Sequence, residues 1–229
     1  MTKEDAVIIC GDFGGVWQDN KTERYWLDWL NDKPFTTLFV DGNHENLDRL
    51  YSGEFEPEKY CGGNVHRIRD SVLHLMRGEV FEIQNKKFFT FGGASSHDIK
   101  DGILDESDYP SIHELIRDYN RRTGAGEMLR INHISWWEQE MPSEEEMNYG
   151  VQNLKKHDYK VDYIISHCAP QHIANLFSHG LYEPDALTEY FDLVDAATDF
   201  EAWFFGHYHD NRMVYEKHYM LYEQIVRLL

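Results

Sequence analysis

The sequence predicts an α/β protein in which one domain spans residues 1–229. Three observations carry that expectation. Short runs such as Ala6-Val7-Ile8-Ile9-Cys10, Leu38-Phe39-Val40, Tyr163-Ile164-Ile165 and Ala202-Trp203-Phe204-Phe205 are apolar on both faces, the habit of strands buried in parallel sheets. Segments between several of them carry helical spacing. Each run then ends in a polar turn, at Gly11-Asp12, Gly42-Asn43-His44, Ser166-His167 and Gly206-His207. In α/β proteins ligands sit at the carboxyl ends of the strands.

Taken in order, Ala6–Cys10 is the first strand, and Asp12 follows it on the glycine-rich turn Gly11-Asp12-Phe13-Gly14-Gly15. Thr22 to Asn31 reads as a helix, with Tyr25, Trp26, Trp29 and Leu30 spaced for one apolar face. Pro34 breaks it, and Thr36 to Val40 completes a βαβ unit. A brief helix is expected over Leu47–Tyr51 and a loop over Cys61-Gly62-Gly63-Asn64. From Val65 to Gly93 the runs Val72–Leu75, Val80–Ile83 and Lys87–Phe91 predict an antiparallel meander. It ends at Gly92-Gly93-Ala94-Ser95-Ser96-His97-Asp98, again a strand that delivers polar groups.

Residues 99–141 are irregular and acidic, with a helix expected over Pro110–Tyr119 and a flexible Thr123-Gly124-Ala125-Gly126; they read as a cap over the site or a surface insertion. Ser143 and Glu146 then form a capping box for a helix running to about Lys156. A strand at Tyr163–Ile165 leads to Ser166-His167-Cys168-Ala169-Pro170. A helix beginning near Pro184 places Leu187, Tyr190, Phe191 and Val194 on one face. Ala202–Phe205 leads into Gly206-His207-Tyr208-His209-Asp210, and Met213–Val226 reads as closing strands.

Composition narrows the function. With 22 basic and 41 acidic residues the net charge is −19, which argues against long nucleic acid or anionic membrane as a partner. It leaves room for a phosphorylated substrate, because bound cations invert the local field. Three scattered cysteines do not make a disulfide framework, and Cys10 and Cys168 are expected buried and reduced. There is no signal-peptide pattern and no apolar run near the ~20 residues of a membrane span, so a cytoplasmic protein is expected.

The turns gather one carboxylate (Asp12), one amide oxygen (Asn43) and the imidazoles of His44, His167, His207 and His209. That set suits a borderline or harder divalent metal such as Mn²⁺, Fe²⁺ or Zn²⁺. On a strand-like segment His207 and His209 would point to one side. Read locally, each turn has a plainer alternative. Asn43 can satisfy backbone groups, Asp12 can cap the following segment, and the His pair can be solvated. His66, His74, His113, His133, His157, His172, His179 and His218 lie in no such turn and read as surface or core residues.

Gly11-Asp12-Phe13-Gly14-Gly15, Gly42-Asn43-His44-Glu45, Ser166-His167 and Gly206-His207-Tyr208-His209, in that order, resemble the motifs of the calcineurin-like metallophosphoesterases. The resemblance implies a four-layer αββα sandwich with mixed sheets and two divalent ions, Mn²⁺ foremost, at the strand ends. It implies that Asp12 bridges the ions, that Asn43, His167 and His207 complete one position, and that His209 serves the other. His44 is similar to the proton donor to the leaving oxygen. Ions ~3.5–4 Å apart would hold the phosphoryl oxygens and acidify a bridging water into a hydroxide nucleophile. The implied activity is hydrolysis of a phosphomonoester or phosphodiester on a small substrate.

The departure from the family pattern is at the start. Members open with a strand ending in Asp-x-His, and no such motif precedes Asp12 here. The first β–α unit is therefore expected to be missing, through a start at an internal methionine or as a natural variant. One position would keep only Asp12 and His209, so one ion is expected to bind tightly and a second poorly. His97 and Asp98 are an alternative source of ligands. The exposed flank of Ala6–Cys10 is expected to favour self-association. A reading from a different class is a non-catalytic or impaired binding protein with an incomplete dinuclear site.

Overall fold

The computed structural model describes residues 1–228. The opening βαβ unit is present as β1 (Ala6–Ile9), α1 (Lys21–Asn31) and β2 (Thr36–Phe39), followed by α2 (Leu47–Leu50). Four strands pair next in two hairpins: β3 (Pro57–Tyr60) with β4 (Gly63–Arg69), and, after β5 (Val72–Leu75), β6 (Glu79–Ile83) with β7 (Lys86–Phe91). The irregular region holds β8 (Ile103–Leu104), α3 (Ile112–Gly124) and β9 (Arg130–Ile131). Then come α4 (Glu144–Lys156), β10 (Tyr163–Ser166), α5 (Gln171–Ser178), α6 (Ala186–Ala197), β11 (Ala202–Phe205), β12 (Arg212–Tyr215) and β13 (His218–Met220).

Two mixed sheets organise the chain, one in the order β1-β2-β5-β4-β3 and one in the order β12-β13-β11-β10-β7-β6. Within them β1, β2 and β5 are parallel, as are β7, β10, β11 and β13. Strands buried on both faces must alternate between two cores, and these do. Leu38, Val40, Leu73 and Leu75 meet Phe88, Tyr163, Ile165 and Phe204 between the sheets. The intervening Phe39 and Val72 pack outward with Leu27 and Leu47 from the helices. On the other outer face Phe89, Phe91, Trp203 and Phe205 pack under Leu154, Ile173, Leu187 and Phe191. The chain is thus α/β, with helices outside two facing sheets. Among the described residues no helix is long and apolar enough to cross a membrane.

Several local expectations are corrected. The buried side of α1 is Leu27 and Glu23, while Tyr25, Trp26 and Trp29 are exposed. Glu23 goes inside because its carboxylate accepts from the backbone N–H groups of Trp17, Gln18 and Asp19 and from Arg49. The meander is interrupted, since β5 pairs in parallel with β2 and β6 belongs to the other sheet. Gly63 and Asn64 open β4 rather than lying in a loop, and β3 and α5 are additional elements. Helix α3 continues through Thr123 and Gly124, and the closing strands stop at Met220. The capping box of Ser143 and Glu146 forms. All three cysteines are free: Cys168 is buried, Cys10 is half-buried and Cys61 is exposed.

Residues 99–141 have a small core of their own, Leu104, Leu115, Leu129 and Ile131, around the β8–β9 pair. Asp48 on α2 accepts from Trp137 Nε1 at 2.8 Å and meets His133 Nδ1 at 2.7 Å, which moors the region beside the strand ends.

Beneath the second strand end lies a buried polar chain. Arg77 donates to Asp41 Oδ2 at 2.5 and 3.0 Å, His74 Nε2 is 3.1 Å from Asp41 Oδ1, and His66 Nδ1 is 3.0 Å from His74 Nδ1. Burial, with the charge of His74 adding to it, pushes His66 down to about 4. An unfolded chain takes up this proton near pH 6.5, the folded one only near 4, so stability is complete above pH 6.5 and falls as pH drops towards 4. The expected loss between pH 7 and 4 is about 2–3 kcal/mol from this ring. Urea midpoints measured across that range should show a slope that His66→Phe reduces; an unchanged slope would mean that the ring is charged in the fold.

Candidate metal centre

Because β1 and β2 run parallel in one sheet and β7, β10 and β11 in the other, their carboxyl ends deliver Asp12, Asn43, His97, His167 and His207 to one place. A hydrogen bond from a site histidine ties the two sheets together there. His167 Nδ1 donates to the carbonyl oxygen of Cys10 at 2.7 Å. The other ring nitrogen, Nε2, lies 3.2 Å from Asn43 Oδ1 and 3.2 Å from Asp12 Oδ1. A neutral ring so oriented turns a lone pair towards two oxygen acceptors, and the three together call for a cation, a proton or a metal. Burial pulls the His167 pKa down, but the hydrogen bond and charge of Asp12 outweigh it and leave it raised. Burial raises Asp12 in turn, and His167 with the His44 backbone N–H more than reverses this and holds the carboxyl well below its usual range.

Neighbours fix the remaining atoms. The His44 N–H donates to Asp12 Oδ1 at 3.0 Å. Asn43 Nδ2 donates to Ser96 Oγ at 3.0 Å, which aims the amide oxygen at His167. Ser96 is itself clamped by Glu140 through its N–H and Oγ, both at 2.7 Å. Glu45 completes the second motif by accepting the N–H groups of Phe13 at 2.6 Å and Gly14 at 3.2 Å. It thereby holds the turn that carries Asp12, although burial raises its own pKa well above the ordinary carboxylate value.

His207 is at one remove. Its ring centroid is 5.0 Å from that of His167, and its Nε2 is 3.4 Å from His97 Nε2. Burial, reinforced by the charges of His167 and His97, depresses its pKa strongly, so it is a neutral donor of a lone pair. His209 is exposed and stacks on Tyr222 at 4.8 Å. The strand geometry expected for the His207–His209 pair is absent: both residues have left-handed backbone, with φ of 65° and 53°, as has Asp12 at 52°. Such conformations are costly for residues with a Cβ and gather at functional sites. Both histidines nevertheless line the same pocket.

That pocket holds about 240 Å³, and Asp12, Asn43, His44, His97, His207 and His209 are among the residues that line it. His44 stands exposed at its mouth, where Arg130 places guanidinium nitrogens 3.3 and 3.5 Å from the imidazole. Burial lowers the His44 pKa and the Arg130 charge adds to this, against the opposing pull of Asp12. Arg130 also forms a two-point ion pair with Asp98, at 2.7 and 2.8 Å, and both of these residues line the pocket with His97, so the Asp98 carboxylate is neutralised by Arg130. Arg130 and Glu140 carried no local signal in the sequence, whereas Ser96 lies in the polar turn Gly92–Asp98 that ends β7. Arg130 sits on a two-residue strand 86 positions from His44.

Close approach at Gly42 is required by the site. A Cβ there would fall 2.2 Å from Asp12 Oδ1 and 2.5 Å from its backbone nitrogen. Gly42→Ala should therefore displace Asp12; if Asp12 is a metal ligand, Mn²⁺ binding read by calorimetry weakens by more than about tenfold, since affinity follows ligand number and placement, and unchanged affinity would show that it is not one. No family model, no curated protein and no solved structure matches the chain.

Proposed function

We propose that this chain is a metal-dependent phosphoesterase acting on a small phosphomonoester or phosphodiester. The observation that carries the reading is the convergence of Asp12 Oδ1 and Asn43 Oδ1 on His167 Nε2, each at 3.2 Å, with the Nδ1 of that ring committed to Cys10. A carboxylate, an amide oxygen and an imidazole are a donor set for Mn²⁺, Fe²⁺ or Zn²⁺. Asp12, Asn43 and His167 would hold the ion, with His207 as the fourth ligand. Asp12 and His209 remain for a second position, and His97, which lines the same pocket, is a further imidazole it could draw on. In the terms of the resemblance drawn from the motifs, the fold is a metallophosphoesterase-like sandwich, and the second position, with Asp12 and His209, is the weaker one.

When bound, a divalent ion supplies positive charge for the phosphoryl oxygens and acidifies a water. The chain's own groups do the rest. Arg130 adds a fixed positive charge at the mouth, where a phosphoryl group would replace part of its contact with Asp98. His44, beside that guanidinium, is placed to give its proton to the leaving oxygen. At about 240 Å³ the pocket is smaller than the roughly 300–1,000 Å³ of drug-sized ligand sites, which favours a small substrate. The net charge of −19 disfavours long nucleic acid. Self-association through the outer edge of β1, which among the described residues pairs with β2 alone, is part of the same proposal.

Two measurements test the reading. The chain as given should bind one equivalent of Mn²⁺ tightly and lose phosphoesterase activity on chelation; no bound metal and no hydrolysis would favour a binding protein. His44→Asn should lower kcat by roughly 10²–10⁴ for an alkyl phosphate ester and far less for a nitrophenyl ester, whose leaving group needs little protonation. Equal losses on both esters would assign His44 to phosphate positioning instead.

A further inference from the structure

A second set of metal-ligand side chains lies on the outer, helical side of the six-stranded sheet and shares no residue with the pocket. It joins His172 on α5, Asp195 on α6 and His218 at the start of β13. His172 Nε2 is 3.3 Å from Asp195 Oδ2, and His218 Nε2 is 3.0 Å from Asp195 Oδ1. Among the described residues this is the one trio of His, Cys, Asp or Glu whose ligand atoms all lie within 4.8 Å of one another.

The opposite nitrogens decide what the trio can hold. His172 Nδ1 is 2.7 Å from Asp192 Oδ1, and His218 Nδ1 is 3.3 Å from the carbonyl oxygen of Tyr215. Both partners are acceptors, so a hydrogen on each Nδ1 satisfies that side of the ring and leaves Nε2 facing Asp195. Two neutral rings then direct Nε2 lone pairs at a carboxylate, an arrangement of acceptors alone. Two further protons would satisfy it only by setting two imidazolium rings with centroids 6.0 Å apart. A single divalent ion satisfies all three groups at once. Each imidazole Nε2 stands 3.0–3.3 Å from one oxygen of Asp195, and one ligand atom from each of the three residues lies within 4.8 Å of the others, close enough to converge on a single ion. A ring nitrogen bound to a carboxylate or carbonyl behind the ligand is the usual support of a metal-bound histidine.

We propose that His172, Asp195 and His218 form a second, independent divalent-metal site of the zinc class, which clips α5 and α6 to β13. Asp192 and the Tyr215 carbonyl orient the two rings. His172 is 45 % exposed, which gives the ion an entry path and leaves a coordination position for water. His218 is buried against Trp203 and Phe200, so the inner ligand is held rigidly by the sheet.

The test uses the full chain, stripped with a chelator and dialysed against Zn²⁺, with bound zinc and the thermal midpoint as readouts. The exposed residues are substituted so that the core around His218 stays intact. His172→Gln should lose one zinc equivalent relative to its parent, both alone and combined with Asp12→Asn, and Asp192→Asn should weaken that equivalent about 10–100-fold. At a hundredfold excess over Kd, zinc should raise the thermal midpoint of the parent by about 5–10 °C more than that of His172→Gln. If His172→Gln binds as much zinc as its parent with equal affinity, or if the midpoint responds to pH and not to zinc, the trio is a proton-held ion-pair network and the proposal fails.

Discussion

The hydrogen bond from His167 Nδ1 to the Cys10 carbonyl is the constraint on which the site depends. It joins the end of β10 in one sheet to the end of β1 in the other, at 1 % exposure for the histidine side chain. Its consequences are both geometric and chemical. It sets how closely the two sheets approach at their carboxyl ends, and it fixes which ring nitrogen faces Asp12 and Asn43. Contact this close leaves no room for a side chain on the facing turn: a Cβ on Gly11 would fall 2.0 Å from the His167 ring nitrogen. The glycine of the first motif is thus explained by the histidine of the third.

The polar groups beneath the turns show how such an arrangement is held at tolerable cost. Asp41, fully buried, is met by Arg77 and His74, and its backbone carbonyl accepts from Gly93 of the neighbouring sheet. Burial alone would raise its pKa, but Arg77 and His74 reverse this and keep the carboxylate ionised. Replacing a buried pair by apolar residues can be neutral, whereas removing one partner costs about 3–5 kcal/mol. Asp41 and Arg77 therefore act as one unit, anchoring the strand end that projects Asn43 and His44. The left-handed backbone of Asp12, His207 and His209 is strain of the kind that only a rigid surround can hold.

Much of this was legible in the sequence because buried strands announce themselves. Continuous apolar runs ending in glycine or polar turns located β1, β2, β10 and β11, and with them Asp12, Asn43, His167 and His207. What failed did so for physical reasons. Spacing in α1 marks which residues are apolar, not which are buried, and the nearby backbone donors drew Glu23 inside while Trp26 stayed out. The expected common side of His207 and His209 assumed a strand where the chain bends. Arg130 was invisible because its role is created by a fold-back across 86 residues. His172 and His218 looked unremarkable because each stands alone on its own element, and only the packing of α5 and α6 against β13 brings them to one carboxylate.

The two clusters follow the same donor logic on different supports. In each, one ring nitrogen is spent on a protein acceptor so that the other presents a lone pair to a carboxylate. At the strand ends the supports are sheet backbone and glycine turns, which allow little relaxation, and the ligands face a pocket that also holds His44 and Arg130. On the helical face the supports include an exposed histidine and a carboxylate on a helix. Rigid ligands around an accessible cavity suit chemistry, because preorganised charge costs no rearrangement when a substrate arrives. Ligands drawn from three separate elements suit a clip, because an ion bound only by the folded arrangement adds its binding free energy to the stability of that arrangement. Under the two proposals the same residue types would serve chemistry in one place and architecture in the other, and the difference lies in what surrounds them.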